Sequence, residues 1–347
     1  MDEQTKRDYY NKLLDQCPTL EIQAAFSKGF SVLGTGYDAI VASISGGSDS
    51  DVVMDFIEKL KQALSIKADV KYVFFDTGME FKATKDHLDF LEKKYGIKIH
   101  REKAVKPVPL AVREHGVPFI SKQVSKYMHR LQKHGFRWED EPFDVLLKRY
   151  PRCKSALRWW CNEWGEGSAF NISRNKLLKE FIVENPPDFS VSDKCCEYAK
   201  KKTAARFQKS INGEAMSLNV QGLRKAEGGI RRTSVSGCFS QNCDGLDVYR
   251  PILWFGDTDK SMYCEVFAVQ HSRCYSQYGL KRTGCACCPF GKEFEKELEI
   301  AQLFEPKLFM AANKVFGASY EYTRAYMQFR KKREAMSTIE EGQLVLF

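Results

Sequence analysis

The chain reads as an α/β protein built on a doubly wound, mostly parallel sheet. Three observations predict this. An apolar run, Ala39–Ile44, leads straight into a glycine-rich turn. Val52, Val53, Phe56, Ile57, Leu60 and Leu64 then recur at helical spacing. A second apolar run, Val70–Phe75, follows. Short buried strands alternating with helices of about 10–15 residues imply βαβ units and a parallel sheet.

In chain order, residues 1–36 read as a helical segment that breaks at Gly34-Thr35-Gly36. The α/β domain is expected over 37–292. After the second strand ends at Asp76-Thr77-Gly78, a helix carries Leu88, Phe90 and Leu91 to Tyr95-Gly96, and Ile97–His100 starts a third strand. A helical insertion is expected at about 122–190. Its residues 122–180 hold 13 Lys and Arg against 7 Asp and Glu, and it carries Trp138, Trp159, Trp160 and Trp164, four of the five tryptophans. The strand pattern returns at Ser217–Gly222 and at Val248–Ile252, and 293–347 reads as a helical C-terminal region.

The 347 residues carry 54 Lys and Arg against 45 Asp and Glu, a net charge of +9 that favours anionic partners without choosing among them. No apolar run approaches the ~18 residues of a membrane helix. The opening, Met1 to Asp8, is charged and lacks the apolar core of a secretory signal. Secreted and membrane-spanning readings are set aside, and a cytoplasmic protein is expected. In that compartment twelve cysteines point to metal ligation or sulfur chemistry rather than disulfides, with buried structural thiols covering about half of them.

Ser45-Gly46-Gly47-Ser48-Asp49-Ser50 stands between the first strand and its helix, where unpaired N–H groups and the helix dipole favour an anion. Glycines let backbone approach a phosphate, and the serine hydroxyls add donors. The loop lacks the Gly-Lys-Ser/Thr of a Walker A sequence and the Gly-x-Gly-x-x-Gly of a dinucleotide fold. Ser-Gly-Gly-x-Asp-Ser resembles, residue for residue, the PP-loop of the adenine-nucleotide α-hydrolase superfamily. Phe75-Asp76-Thr77-Gly78-Met79-Glu80-Phe81 is similar to the segment ending the second strand of phosphoadenosine phosphosulfate (PAPS) and adenosine phosphosulfate (APS) reductases. Gly222-Leu223-Arg224-Lys225-Ala226-Glu227, with Arg231 and Arg232 after it, resembles that family's Gly-x-Arg-x-x-Glu loop, and Arg250-Pro251-Ile252 with Trp254 a later segment. The resemblance spans about residues 36–292. It implies an adenine-nucleotide site made by Ser43, Ser45, Gly46, Gly47, Ser48, Asp49, Ser50, Asp76, Thr77, Gly78, Gly222, Arg224, Glu227 and Arg231. Ser121 and Lys122 in the Pro118–Lys122 segment are weaker expectations for phosphate contact.

Cys195-Cys196 and Cys285-Ala286-Cys287-Cys288 form two pairs, with residues 196 and 285 separated by 89 positions. Four thiolates from two short segments can enclose zinc or a [4Fe–4S] cluster. Adjacent cysteines suit the separate iron corners of a cluster better than one tetrahedral ion, and unligated thiols are the remaining reading. APS reductases carry a Cys-Cys pair and a distant Cys-x-x-Cys on one [4Fe–4S] cluster, so the resemblance implies Cys195, Cys196, Cys285 and Cys288 as ligands, with Lys200 beside them. Ala199 and Thr203 depart from that motif, where it has Arg and Pro.

The reductases attack sulfur with a mobile C-terminal cysteine. Here the last cysteine is Cys288, and the final 59 residues contain none. A reductase needs a thiolate to form its enzyme–S–sulfonate intermediate, and Cys287, Cys238 and Cys243 are the candidates left. The omission favours the branch of the superfamily that cleaves MgATP between the α and β phosphates and then delivers sulfur. Asp49, Arg224 and Cys287 are the expected catalytic residues. The preferred expectation is an iron–sulfur ATP pyrophosphatase and sulfurtransferase acting with a sulfur donor on an acceptor, nucleic acid among the candidates. A sulfonucleotide reductase served by a thioredoxin-like reductant, and a non-catalytic nucleotide-binding regulator, are the alternatives.

Tyr127, Arg130, Arg137, Trp138, Arg152, Arg158, Trp159 and Trp160 interleave positive charge with flat rings, a mixture that can track phosphates and stack bases, although rings at helical spacing more often build a core. The six histidines show no ligand spacing and read as structural or surface residues. Cys17, Cys153, Cys161, Cys264 and Cys274 read as ordinary reduced thiols, Cys153 and Cys161 with the option of a second site.

Overall fold

The computed structural model describes residues 2–64, 66, 68–212, 216–228, 235–241 and 246–344, with the side chains of Asn212 and of 337–344 left aside. Arg231, Arg232 and Cys243 lie outside the described residues. The chain divides into two compact units, each made from two stretches. The first unit is Met1–Val105 with Lys200–Ala286; the second is Lys106–Ala199 with Cys287–Phe347.

The first unit holds the sheet. Its strands are β1 (Ala39–Ser43), β2 (Asp69–Asp76), β3 (Ile99–Lys103), β4 (Ser217–Gln221), β5 (Phe239–Ser240) and β6 (Leu246–Tyr249). Their order is β3-β2-β1-β4-β6-β5, parallel throughout except for the antiparallel β5–β6 pair. The α/β expectation holds, and the added feature is the two-residue edge strand β5, too short to show a sequence period. Ile40, Val41 and Ala42 of β1 are fully buried, as a central parallel strand requires. From β1 the chain builds outward to β3, then returns to β4 on the other side of β1. A crevice therefore opens at the C-terminal ends of β1 and β4, where such sheets bind ligands.

The helices α1 (Glu3–Asp15), α2 (Leu20–Leu33), α3 (Ser48–Ala63) and α4 (Lys82–Tyr95) belong to this unit. Asp2 and Thr19 cap the first two by accepting from Thr5 and Ile22 N–H groups. α2 lies close on α3, with Phe26 and Phe56 stacked at 4.7 Å. Gly29 permits the approach, since a Cβ there would meet Phe56 Cζ at 2.5 Å.

The second unit is helical and has its own aromatic core. Phe119, Leu131, Trp159, Trp160, Phe181 and Tyr326 are among its buried residues. Trp160 packs on Phe136 and Trp138, each 5.6 Å between ring centres, and its indole N–H donates to the Glu139 carbonyl at 2.9 Å. The long helix Pro306–Leu344 adds Tyr322 and Tyr326, whose hydroxyls donate to the Asn185 and Lys176 carbonyls at 2.6 and 2.7 Å. Among the described residues, no helix is long and apolar enough to cross a membrane.

Candidate functional site

The glycine loop turns from β1 into α3 at the mouth of the crevice. Gly46 sits at φ +68°, and a Cβ there would meet the Thr84 methyl at 2.7 Å. Gly47 is the residue before the helix, and a Cβ on it would meet Thr283 Oγ1 at 2.9 Å and Ser45 Oγ at 3.1 Å. Side chains within the loop fix its shape: Ser50 Oγ donates to the Gly47 carbonyl at 2.7 Å, and Ser45 Oγ accepts from the Gly47 N–H at 3.3 Å. Asp49 and Asp51 put negative charge in the first turn of α3, the end where the helix dipole favours it.

Cations converge on this loop from two later segments. Arg224, which follows β4, is buried; its Nε donates to Asp49 Oδ1 at 3.0 Å and its Nη1 to Asp257 at 2.9 Å. Lys260, from the helix Asp257–Val266, lies 2.6 Å from the same Asp49 oxygen and donates to Ser48 Oγ at 2.5 Å. Tyr275 OH accepts from the Ser48 N–H at 3.0 Å. Gly222 is also needed, since a Cβ there would lie 3.3 Å from the Asp49 carbonyl. Asp49, Arg224 and Gly222 thus lie together at the loop. Lys260 and Tyr275 escaped the sequence reading because each is one polar residue in an ordinary amphipathic stretch; only the tertiary fold gives them a partner.

The end of β2 forms the neighbouring wall. Gly78 N–H donates to Asp76 Oδ1 at 2.9 Å, Thr77 N–H to Glu80 Oε1 at 2.9 Å, and Lys85 to Asp76 Oδ2 at 3.0 Å. Burial works against charge on Asp76, but Glu80, Lys85 and the Gly78 N–H outweigh it and hold that carboxyl below its usual range. Burial, with Asp76 adding to it, pushes Glu80 up. The Gly284–Ala286 strip docks on this turn: Ala286 N–H donates to the Met79 carbonyl at 2.6 Å, and Cys285 Sγ lies 3.4 Å from Thr77 Oγ1. Ser43, Ser45, Phe74, Phe75, Thr77 and Lys201 help line a pocket of about 330 Å³.

The other expected residues are placed as follows. Glu227 ends a short 3-10 turn after Arg224. Lys122 lies in the second unit, in the first turn of a helix capped by Ser121. Cys285 belongs to the first unit, and Cys195, Cys196, Cys287 and Cys288 to the second. Among the described residues, no three Cys, His, Asp or Glu side chains are gathered so as to hold a metal ion. Cys287 is fully buried, its N–H donates to Glu297 Oε2 at 2.8 Å, and burial, with Glu297 adding to it, pushes the thiol up to about 12. That environment keeps the expected nucleophile protonated at neutral pH.

The aromatic and basic segment divides. Trp138, Trp159 and Trp160 are core residues, so they are not available to stack bases. Trp164 is 36% exposed, with the Arg158 guanidinium 5.1 Å over its ring. Arg130, Arg152, Lys154, Arg158, His134 and Trp164 line an open groove of about 530 Å³ in the second unit.

Residues 39–139 match the family model of the phosphoadenosine phosphosulfate reductase domain. No curated protein matches the chain. Similar solved structures include PAPS reductase from Candida auris in a phosphate complex, at 14% identity, covering 82% of this chain and 96% of that one with a TM-score of 0.41. The U34-tRNA thiolase NcsA from Methanococcus maripaludis with its [4Fe–4S] cluster shows 12% identity, 90% and 80% coverage and a TM-score of 0.34. An NH3-dependent NAD synthetase from Campylobacter jejuni shows 13% identity, 93% and 96% coverage and a TM-score of 0.33. The matched stretch carries β1, the glycine loop and the β2 turn, and over those residues the chain is similar to the PAPS reductase domain.

Proposed function

We propose that the protein is an adenine-nucleotide-dependent sulfur-transfer enzyme that splits MgATP between its α and β phosphates to activate an acceptor, and that the acceptor is a nucleic acid. The observation that carries the nucleotide half is the convergence of Lys260 and Arg224 on a glycine loop whose N–H groups open a helix. In this reading the base sits in the pocket walled by Phe74 and Phe75. The loop amides and Lys260 then take up the charge that develops on departing pyrophosphate. Asp49 positions both cations through its single shared oxygen, Oδ1.

The groove of the second unit supports the acceptor. Arginines and lysine meet a phosphate backbone, and Trp164 offers one exposed ring to an unstacked base. The assignment of Cys195, Cys196, Cys285 and Cys288 to a [4Fe–4S] cluster rests on their sequence pattern; the cluster would supply a site for sulfide.

The test uses anaerobically prepared protein, analysed for iron and acid-labile sulfide and then assayed for pyrophosphate release from MgATP with mixed tRNA. Acceptor-dependent release is expected, with a loss of about 100-fold or more in Lys260→Ala. Sulfite formation from PAPS with thioredoxin, without pyrophosphate release from ATP, would overturn the reading in favour of a reductase. Iron-free protein would remove the cluster assignment.

A further inference from the structure

Behind the glycine loop, around Asp51 of helix α3, lies a second set of chemical groups that the nucleotide site does not use. Asp51 is fully buried, and its Oδ2 lies 2.9 Å from His271 Nδ1. The other nitrogen of that ring, Nε2, lies 3.3 Å from Cys264 Sγ. Carboxylate, imidazole and thiol therefore stand in the order that activates a cysteine for attack, each within reach of the next. His87 approaches the free side of the carboxylate, its Nε2 3.1 Å from Asp51 Oδ1. A buried carboxylate needs one good partner, which His271 Nδ1 already supplies; the sulfur on the opposite nitrogen is not required for that role.

We propose that Cys264, His271 and Asp51 form a nucleophilic thiol site, and that Cys264 takes up sulfane sulfur from a persulfide donor. The sulfur-carrying half rests on the sulfur-transfer reading above. Cys264 and the His271 ring are only partly buried, so a small donor can reach them, whereas Cys153 and Cys287 are fully buried. The place in the fold fits the task. Cys264 follows Lys260 by four residues on one helix, so it stands on the same face about 6 Å along the axis. Lys260 is the residue that touches the glycine loop.

In the transfer step, His271 holds the proton of the Cys264 thiol and the sulfur attacks the outer sulfur of R–S–SH. The S–S bond of the donor breaks, Cys264 becomes the persulfide Cys–S–SH, and R–S⁻ leaves to take the proton held by His271. One sulfur atom moves between two thiols, so no outside oxidant or reductant is needed. Burial opposes charge on His271, but Asp51 and Cys264 outweigh it and push its pKa up to about 9, in keeping with a ring that retains a proton at neutral pH. The charged and titratable groups around the site are Asp86 and His87 from α4, Arg273 and Tyr275 from the segment after His271, and Tyr263 from the cysteine's own helix.

The intact chain is treated with limiting iodoacetamide at pH 7, and each cysteine's alkylation is followed by mass spectrometry. Cys17 and Cys161, both pushed up to about 11 by burial, serve as internal standards. Cys264 should react about tenfold faster or more. In His271→Gln that advantage should vanish while Cys17 and Cys161 keep their rates, which separates loss of the base from unfolding. In a second arm, glutathione persulfide should add one sulfur atom to Cys264 in the wild type and not in Cys264→Ser. Equal rates at Cys264 and Cys17 would overturn the thiol site. Fast alkylation without sulfur uptake would overturn the carrier role. Sulfur uptake by a protein that releases no pyrophosphate would leave the thiol site standing and sink the proposed ATP chemistry instead.

Discussion

The glycine-loop end of the first unit and the aromatic centre of the second pose opposite problems for a reader of sequence. At the loop, small and polar residues look unremarkable one at a time, yet the fold gathers Asp49, Arg224 and Lys260 around a single carboxylate oxygen. In the second unit, tryptophans interleaved with arginines look like a binding surface, yet three of the four are packed inside. The difference lies in what each pattern reports. A ring at helical spacing reports burial, because its large apolar area outweighs the charges beside it. A polar loop at the end of a parallel strand reports a turn into a helix, where backbone N–H groups gather and later segments bring side chains to meet them.

The sharpest way to break this contrast is to remove one buried and one exposed ring from the same segment. Trp160→Ala should cost about 3–5 kcal/mol in urea unfolding, since it empties a fully buried site among Phe136, Trp138 and Trp159. Trp164→Ala should change stability by no more than about 0.5 kcal/mol. It should weaken binding of a fluorescent single-stranded oligonucleotide by about 1–3 kcal/mol. If Trp164→Ala binds like the wild type, the groove is not a nucleic-acid surface.

Much of the fold was legible. The strands at 39, 70 and 217 announced themselves because buried parallel strands are short continuous apolar runs, and Gly34 marked the end of α2. β5 was not legible, since two residues carry no period. At the site, the glycine loop, the Asp76–Gly78 turn and Arg224 could be found from local order along the chain. Lys260, Tyr275 and the His271–Asp51 pair could not, because their meaning lies in contacts that span 200 residues or more, such as His271 with Asp51 at a separation of 220. Read one by one, the histidines are structural or surface residues. Two of them flank one buried carboxylate, and no spacing rule reaches that far.

Glycines sharpen the same comparison on a smaller scale. Gly46 in the loop and Gly135 in the second unit share almost one backbone conformation, at φ +68° and φ +71°. They differ in what surrounds them: a Cβ at 46 would press on buried Thr84 at 2.7 Å, while one at 135 would meet nothing within 4 Å. Gly135→Ala should therefore cost only the left-handed backbone, about 1 kcal/mol. Gly46→Ala adds overpacking and should cost about 2–3 kcal/mol, with loss of nucleotide binding. Equal costs in denaturant titrations would mean that the loop can relax, and that its shape is not set by the close approach to α4.

The smallest effect concerns the pair buried behind the loop. His271 rises from an ordinary 6.5 to about 9 in the folded protein, because Asp51 and Cys264 outweigh the burial that opposes its charge. A group whose pKa is raised by folding stabilises fully below its unfolded value, and loses that contribution as pH climbs through its folded value. Stability should therefore be flat below about pH 6.5 and decline up to about pH 9, by about 1 kcal/mol once screening of a partly exposed ring is allowed for. His271→Gln should start lower and lack this decline. A wild-type urea midpoint that stays level across the window would mean that the ring is neutral when folded. His271 would then take the Cys264 proton as a free base at the moment of attack, which would still permit attack by the thiol but would remove the fixed positive charge beside it.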